Sequence, residues 1–192
     1  MFDYQDEQEG QGFNASTIPY FISQSVTCWC SSNPPLAGWA TLGAYEADPI
    51  YVQPFLQSLL PRLLRYHRWW YDFRDHNGNG LAEYGSSHPL PPCMRHESGM
   101  DNAPRFDSAY VVMNSPFSFS GTQESVDLNA FLYAEKLALA SLASAIGKED
   151  IADELRAEAT ALRVKMQEVF YSEETGFMHD RSLDGCMLLD MG

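Results

Sequence analysis

The sequence predicts an all-α fold, and three observations predict it. Apolar residues recur at helical spacing through several long segments, capping residues sit where those segments begin or end, and almost nowhere between them do apolar and polar residues alternate as in a half-buried strand. With 192 residues, 45% hydrophobic and 13% aromatic, the chain can bury a sizeable core as one globular unit covering residues 1–192.

In chain order, two short helical stretches come first, around Ser16 to Trp29 and around Pro35 to Tyr45. Asp48-Pro49 then supplies an N-cap and a first-turn proline for a helix running through Phe55, Leu59, Leu63 and Leu64 toward Trp70. Pro61 is expected to kink that helix or divide it in two. Between Arg74 and Glu124, glycine, proline, serine and asparagine dominate, and only Ser108 to Met113 is strand-like. So long a loop inside a helical domain points to function. Val126 to Ile146 is again helical through Leu128, Phe131, Leu132, Leu139, Leu142 and Ile146, with Gly147 placed for a left-handed C-terminus. Glu149 to Tyr171 follows as an amphipathic surface helix through Ile151, Leu155, Ala159, Leu162, Met166 and Val169. These last two form an αα-hairpin.

Charge narrows the partners. A formal net charge of −14 without a basic cluster repels phosphate backbones and anionic lipid, which argues against nucleic acid and membrane surfaces. No apolar run reaches the roughly 18 residues of a membrane helix. The opening MFDYQDEQEG lacks the basic start and apolar middle of a signal peptide, and the localisation is left open. Cys28, Cys30, Cys93 and Cys186 are too scattered for a disulfide scaffold, and Cys28-Trp29-Cys30 is not a zinc spacing, so all four are expected to be reduced core residues. Asn14-Ala15-Ser16 matches a glycosylation sequon, a tripeptide that arises often by chance.

Asp75-His76-Asn77-Gly78-Asn79-Gly80-Leu81-Ala82-Glu83 sets oxygen side chains at alternate positions before a glycine. Such a loop can wrap a hard cation, calcium best of all, with Asp75, Asn77 and Asn79 as side-chain ligands and Leu81 through its carbonyl. Its twelfth position is Ser86 and not glutamate, so Glu83 or a distant carboxylate must complete the shell. The alternative is an Asn/Gly-rich turn held by its own side-chain hydrogen bonds. Glu135 lies on the apolar stripe of its helix, where a carboxylate needs a cation or several donors, which makes it a candidate remote ligand; otherwise it reaches water at the stripe's edge.

A second constellation runs from His96 to Asp107, and its stretch ESGMDNAPRFD closely resembles the motif around the general acid of glycoside hydrolase family 63. The likeness extends through NPPLAGWA at Asn33 to Ala40, HNGNGLAEYG at His76 to Gly85, VDLNAFLYAEK at Val126 to Lys136 and EETGF at Glu173 to Phe177. Family 37 trehalases carry a looser version. The resemblance implies an (α/α)6 barrel, incomplete in this chain, with Asp101 as the catalytic acid and structural calcium at the DxNxNG loop. It implies that Trp39 stacks on a sugar, with a core tryptophan as the alternative, and that Glu97 lies near the acid. Arg105 would hold sugar hydroxyls or orient a carboxylate, against a salt bridge with Asp107; Asp127 and Asn129 would brace the site.

Inverting hydrolysis requires an acid and a base roughly 6.5–9.5 Å apart. Asp101 must then hold its proton near neutral pH, which calls for burial or a neighbouring carboxylate such as Glu97 or the base. In the family the base lies downstream of any segment present before Gly192, so it falls outside this chain, and the isolated chain is expected to be inert. Half a barrel is also expected to expose apolar faces and self-associate. Candidate substrates are glucosylated oligosaccharides, α-glucosyl or α-mannosyl glycerate and, more distantly, trehalose, with the motif wording closest to bacterial α-glucosidases. A non-catalytic carbohydrate-binding or calcium-stabilised helical module, or a truncated inactive product, are the alternatives.

Overall fold

The computed structural model describes residues 16–22, 27–28 and 30–188. The sequon residues Asn14 and Ala15 and the C-terminal residues 189–192 lie outside that range. A two-stranded hairpin, β1 (Phe21–Ile22) with β2 (Thr27–Cys28), stands where a helix over Ser16 to Trp29 is expected. Helices α1 (Ala37–Ala47) and α2 (Pro49–Arg74) follow. Next come β3 (Glu83–Ser86), α3 (Pro91–Ser98), β4 (Val111–Ser115) and β5 (Ser118–Glu124). The hairpin α4 (Val126–Ala145) and α5 (Glu149–Phe170) leads to a short β6 (Arg181–Ser182).

The helices form where their caps and periodicity place them. The Asp48 side chain accepts the Tyr51 N–H at 3.0 Å, and Pro49 opens α2. Gly147, at φ 74°, ends the α4 turn. The expected break at Pro61 does not occur: α2 runs unbroken through Pro54 and Pro61. Pro61 and Gln57, whose carbonyl loses its helical partner, are both exposed, so that carbonyl is not sealed in the core. The opposite face buries Leu56, Leu60, Leu63, Tyr66, Trp69 and Trp70.

The helix-rich fold expected from the sequence also carries a small antiparallel sheet in the order β3-β5-β4, with β6 on the end of β5 at Gln123 and Glu124. Its strands read EYGS and SFSGTQE, and they are buried even though they are polar: Ser86, Ser118, Ser120, Gln123 and Glu124 are all inside. Strands that bury serine show no hydrophobic alternation, so the segment resembles a loop in the sequence.

Two apolar clusters hold the layers together. One gathers Tyr66, Trp69, Trp70, Tyr84, Phe106, Leu128, Leu132 and Phe170 between α2, the sheet and the α4–α5 pair. The other packs Leu56, Leu60 and Leu63 against Leu139, Leu142, Ala152 and Leu155. By contrast Trp39, Ile50, Tyr51 and Phe55, along α1 and the start of α2, are exposed. The cysteines are not the buried core residues expected, since Cys30 and Cys93 are half-buried and Cys186 is exposed; the Cys28 side chain lies outside the described residues. Among the described residues, no helix is long and apolar enough to cross a membrane.

Candidate active site and cation loop

Helix α3 opens on Pro91 and stops at Gly99, whose φ of 71° suits a residue without a side chain. Beyond it the Ser98 hydroxyl donates to the Arg95 carbonyl at 2.7 Å and accepts the Met100 N–H at 3.0 Å, folding SGMD into a tight turn. Asp101 stands exposed on that turn. The chain then re-enters the core at Phe106, in a single 3-10 turn over Pro104–Phe106. The described residues around Asp101 do not bury it.

Glu97 lies near the C-terminal end of α3, just before that turn. It is completely buried, and its two oxygens take four donors. Oε2 accepts Arg74 Nε at 2.7 Å and Gly85 N at 2.6 Å; Oε1 accepts Arg74 Nη2 at 2.8 Å and Ser32 N at 2.9 Å. These contacts make Glu97 a brace between segments of the fold. Glu97 joins the segment before NPPLAGW, strand β3 and the helix leading to Asp101. Gly85 must be glycine here, because a Cβ would lie 2.0 Å from the Phe119 carbonyl oxygen and 2.7 Å from Arg74 Nε. Nothing in the sequence marks Arg74 as the partner, since it ends an otherwise aromatic helix surface 23 positions away.

Arg105 is held just as firmly, though not by Asp107, which pairs instead with Arg95 at 3.2 Å. Its Nη1 and Nη2 grip the two Asp127 oxygens at 2.9 Å each, and Nη1 also reaches Asp180 at 3.2 Å. Tyr84 donates its hydroxyl to Asp127 at 3.0 Å, and Asp180 accepts the Val126 N–H at the start of α4. Burial pushes the Asp180 carboxyl up, with Val126 and Arg105 opposing. Arg105 thus ties the turn after Asp101 to α4, with both terminal nitrogens committed to carboxylates. Asn129 braces the neighbouring strand, exchanging hydrogen bonds with the Ala82 backbone at 2.9 and 3.0 Å.

Trp39 is 64% exposed on α1 and is not a core tryptophan. The first turn of that helix rests on Glu135 of α4, which accepts Gly38 N at 2.8 Å and Trp39 N at 3.3 Å. Burial pushes Glu135 up to about 7 against those two donors. Its oxygens serve the N-terminus of α1.

In that loop Asp75 accepts Asn79 N at 2.9 Å and Gly80 N at 2.7 Å, Asn77 Oδ1 accepts Asn79 N at 3.1 Å, and Asn79 Oδ1 accepts Leu81 N at 2.8 Å. Gly78 and Gly80 adopt φ of 68° and 83°. From β5, Glu124 accepts Asn77 Nδ2 at 3.1 Å and Asn79 Nδ2 at 2.6 Å, while the Lys165 ammonium contacts the Asn79 carbonyl. Glu83 accepts His76 N at 2.9 Å through Oε2, but its buried Oε1 has no hydrogen-bond partner. Burial first, then the Asp75 and Glu124 charges, push Glu83 well above the usual carboxylate range. An all-oxygen set with an idle buried carboxylate oxygen fits a hard cation. Among the described residues no three Asp, Glu, His or Cys side chains converge, so amide and carbonyl oxygens would carry much of any shell.

Comparison with known proteins places the chain in a family. Residues 23–190 match the family described as the mannosylglycerate hydrolase MGH1-like glycoside hydrolase domain. A mannosylglycerate hydrolase of Thermus thermophilus is 37% identical over 78 residues, 40% of this chain and 17% of that protein. Mannosylglycerate hydrolase MGH1 of Selaginella moellendorffii is 35% identical over 80 residues, 41% of this chain and 15% of that protein. The crystal structure of a GH63 mannosylglycerate hydrolase from Thermus thermophilus in complex with glucose superposes at a TM-score of 0.62 and 25% identity, covering 86% of this chain and 45% of that one. The same hydrolase with Tris and D-glycerate gives 0.69 at 20% identity, covering 97% and 56%. The chain thus spans about half the length of these solved structures. It belongs to glycoside hydrolase family 63, as a member of the MGH1-like domain family.

Proposed function

We propose that this chain is the acid-bearing part of an inverting glycosidase whose substrate is an α-hexosyl glycerate, mannosyl or glucosyl, or a related α-glucoside. Asp101 protonates the bridging oxygen as the C–O bond breaks, and a base in the part of its relatives' length that this chain does not span activates the water on the opposite face. The observation that supports this reading is the Glu97 clamp, since one buried carboxylate ties together the segments carrying Trp39 and Asp101. Trp39 offers an exposed indole for an apolar sugar face. Arg105, gripped by Asp127 and Asp180, fixes the far side of the acid's turn.

The same reading completes residues 1–192 into an (α/α)6 barrel with the missing helices. Those helices cover the exposed apolar side of α1, enclose Asp101 and thereby raise its affinity for a proton. Self-association of the isolated chain through that side is part of the proposal. Calcium, held by Asp75, Asn77, Asn79, Leu81 and Glu83, would brace the loop leading into β3 by neutralising its carboxylates. The test is proton NMR of the full-length protein with α-mannosyl and α-glucosyl glycerate. The first sugar released should be the β-anomer; an α-anomer, or cleavage of neither glycerate nor any α-glucoside, overturns the proposal.

A further inference from the structure

The first turn of α1 carries N–H groups that no carbonyl inside the helix can accept. Leu36 at the N-cap is aliphatic and makes no side-chain cap. The helical ladder begins with Ala40, whose N–H reaches the Leu36 carbonyl at 2.9 Å. The cap comes instead from α4, where the completely buried Glu135 takes Gly38 N on Oε1 and Trp39 N on Oε2. Gly38 permits that approach, since a Cβ there would stand 2.9 Å from the carboxyl carbon.

A serine or aspartate at position 36 would cap the helix without taking a carboxylate out of water. What the buried Glu135 adds is place, because it registers the turn against a neighbouring helix that a local cap would not reach. The segment before the turn is held in the same way, with Ser32 N on Glu97 at 2.9 Å and the Asn33 carbonyl accepting the Tyr66 hydroxyl. Residues 32–39 are thus seated on two buried carboxylates, Glu97 of α3 and Glu135 of α4. Glu97 adjoins the turn that carries Asp101, so the two carboxylates relate the backbone of Trp39 to that turn. An exposed indole serves as a platform only if its support holds it within about 0.5 Å of the productive position.

We propose that Glu135 is a positioning residue, one that sets where the Trp39 indole meets a sugar. This role depends on Trp39 stacking against the sugar, and the test separates the two. It uses the full-length protein labelled with 5-fluorotryptophan, with Asp101→Asn in every sample to stop turnover of the probe, α-mannosyl glycerate; Trp39→Phe assigns the Trp39 fluorine resonance. Glu135→Gln, whose amide nitrogen cannot accept the second N–H, should shift that resonance in the free protein and leave those of the buried Trp69 and Trp70 in place. It should also weaken probe binding about fivefold in calorimetric titration. Gly38→Ala, which presses on the same carboxyl, should move both readouts in the same direction. Trp39→Ala should weaken binding too, and adding Glu135→Gln to it should weaken binding no further. Weaker binding in Trp39→Ala but not in Glu135→Gln and Gly38→Ala, or losses that add, would overturn the positioning role alone. No binding of the probe, or binding unchanged by Trp39→Ala, would overturn the stacking role and the positioning role with it.

Discussion

Arg74 and Glu97 form a bidentate ion pair at 2.7 and 2.8 Å in which both side chains are wholly buried. The guanidinium also lies 4.7 Å from the Trp69 ring centroid and donates to the Ser118 hydroxyl at 2.8 Å. A pair so desolvated is worth little against an apolar replacement of the same shape, but breaking it strands a charge. Glu97→Gln should therefore cost about 3–5 kcal/mol of unfolding free energy in urea, more than Arg74→Met with Glu97→Met together. Equal losses for the single and double variants would show that the charge pairing is not what matters.

Two glycines should be intolerant for steric and not conformational reasons. A Cβ on Gly85 meets the Phe119 carbonyl at 2.0 Å, and one on Gly38 meets the Glu135 carboxyl at 2.9 Å. Backbone cannot retreat as a side chain can, so Gly85→Ala should lower the thermal midpoint more than Gly38→Ala, with about 1–3 kcal/mol as the scale for the milder case. Comparable midpoints for the two variants would contradict the β3–β5 spacing described.

Stability should also depend on pH through Glu135. Burial raises its carboxyl from the ordinary 4.5 to about 7, so the folded chain binds a proton that the unfolded chain releases. That contribution is complete below pH 4.5 and is lost as pH rises through 7, on the order of 2–3 kcal/mol over the window. Glu135→Gln, a neutral stand-in for the protonated carboxyl, should leave the acid-side stability nearly unchanged and flatten the fall between pH 5 and 7. An unchanged slope in melting measured against pH would refute the assignment.

Calcium should raise the melting temperature, and chelation should reverse the gain. Magnesium, with its smaller octahedral shell, should not replace it, and Asp75→Ala should abolish the response. Melting unmoved by millimolar calcium would leave the loop as a turn held by its own hydrogen bonds.

Helices α1, α2, α4 and α5 were legible, because caps and apolar spacing are local signals: Asp48, Pro49 and Gly147 mark boundaries where the structure has them, whereas α3 lies inside the segment read as a loop. The sheet was not, because Ser86, Ser118 and Ser120 are buried by tertiary packing and carry no alternating pattern. The acid's turn could be named from ESGMDNAPRFD, yet the partners of Glu97 and Arg105 could not. Arg74, Asp127 and Asp180 are brought in from 23, 22 and 75 residues away by folding alone. Glu124 likewise reaches the cation loop from 45 residues beyond Asn79, a contact that spacing within the loop gives no hint of.

In the proposed function the carboxyl exposed at the end of the SGMD turn is the group on which hydrolysis depends, and Asp101→Asn in the full-length protein tests it most directly. With α-mannosyl and α-glucosyl glycerate as substrates, kcat should fall by about 100- to 10,000-fold while the sugar still binds, because asparagine keeps the shape and loses the proton. Turnover within a few-fold of wild type would show that another group delivers that proton and would contradict the assignment of Asp101 as the acid.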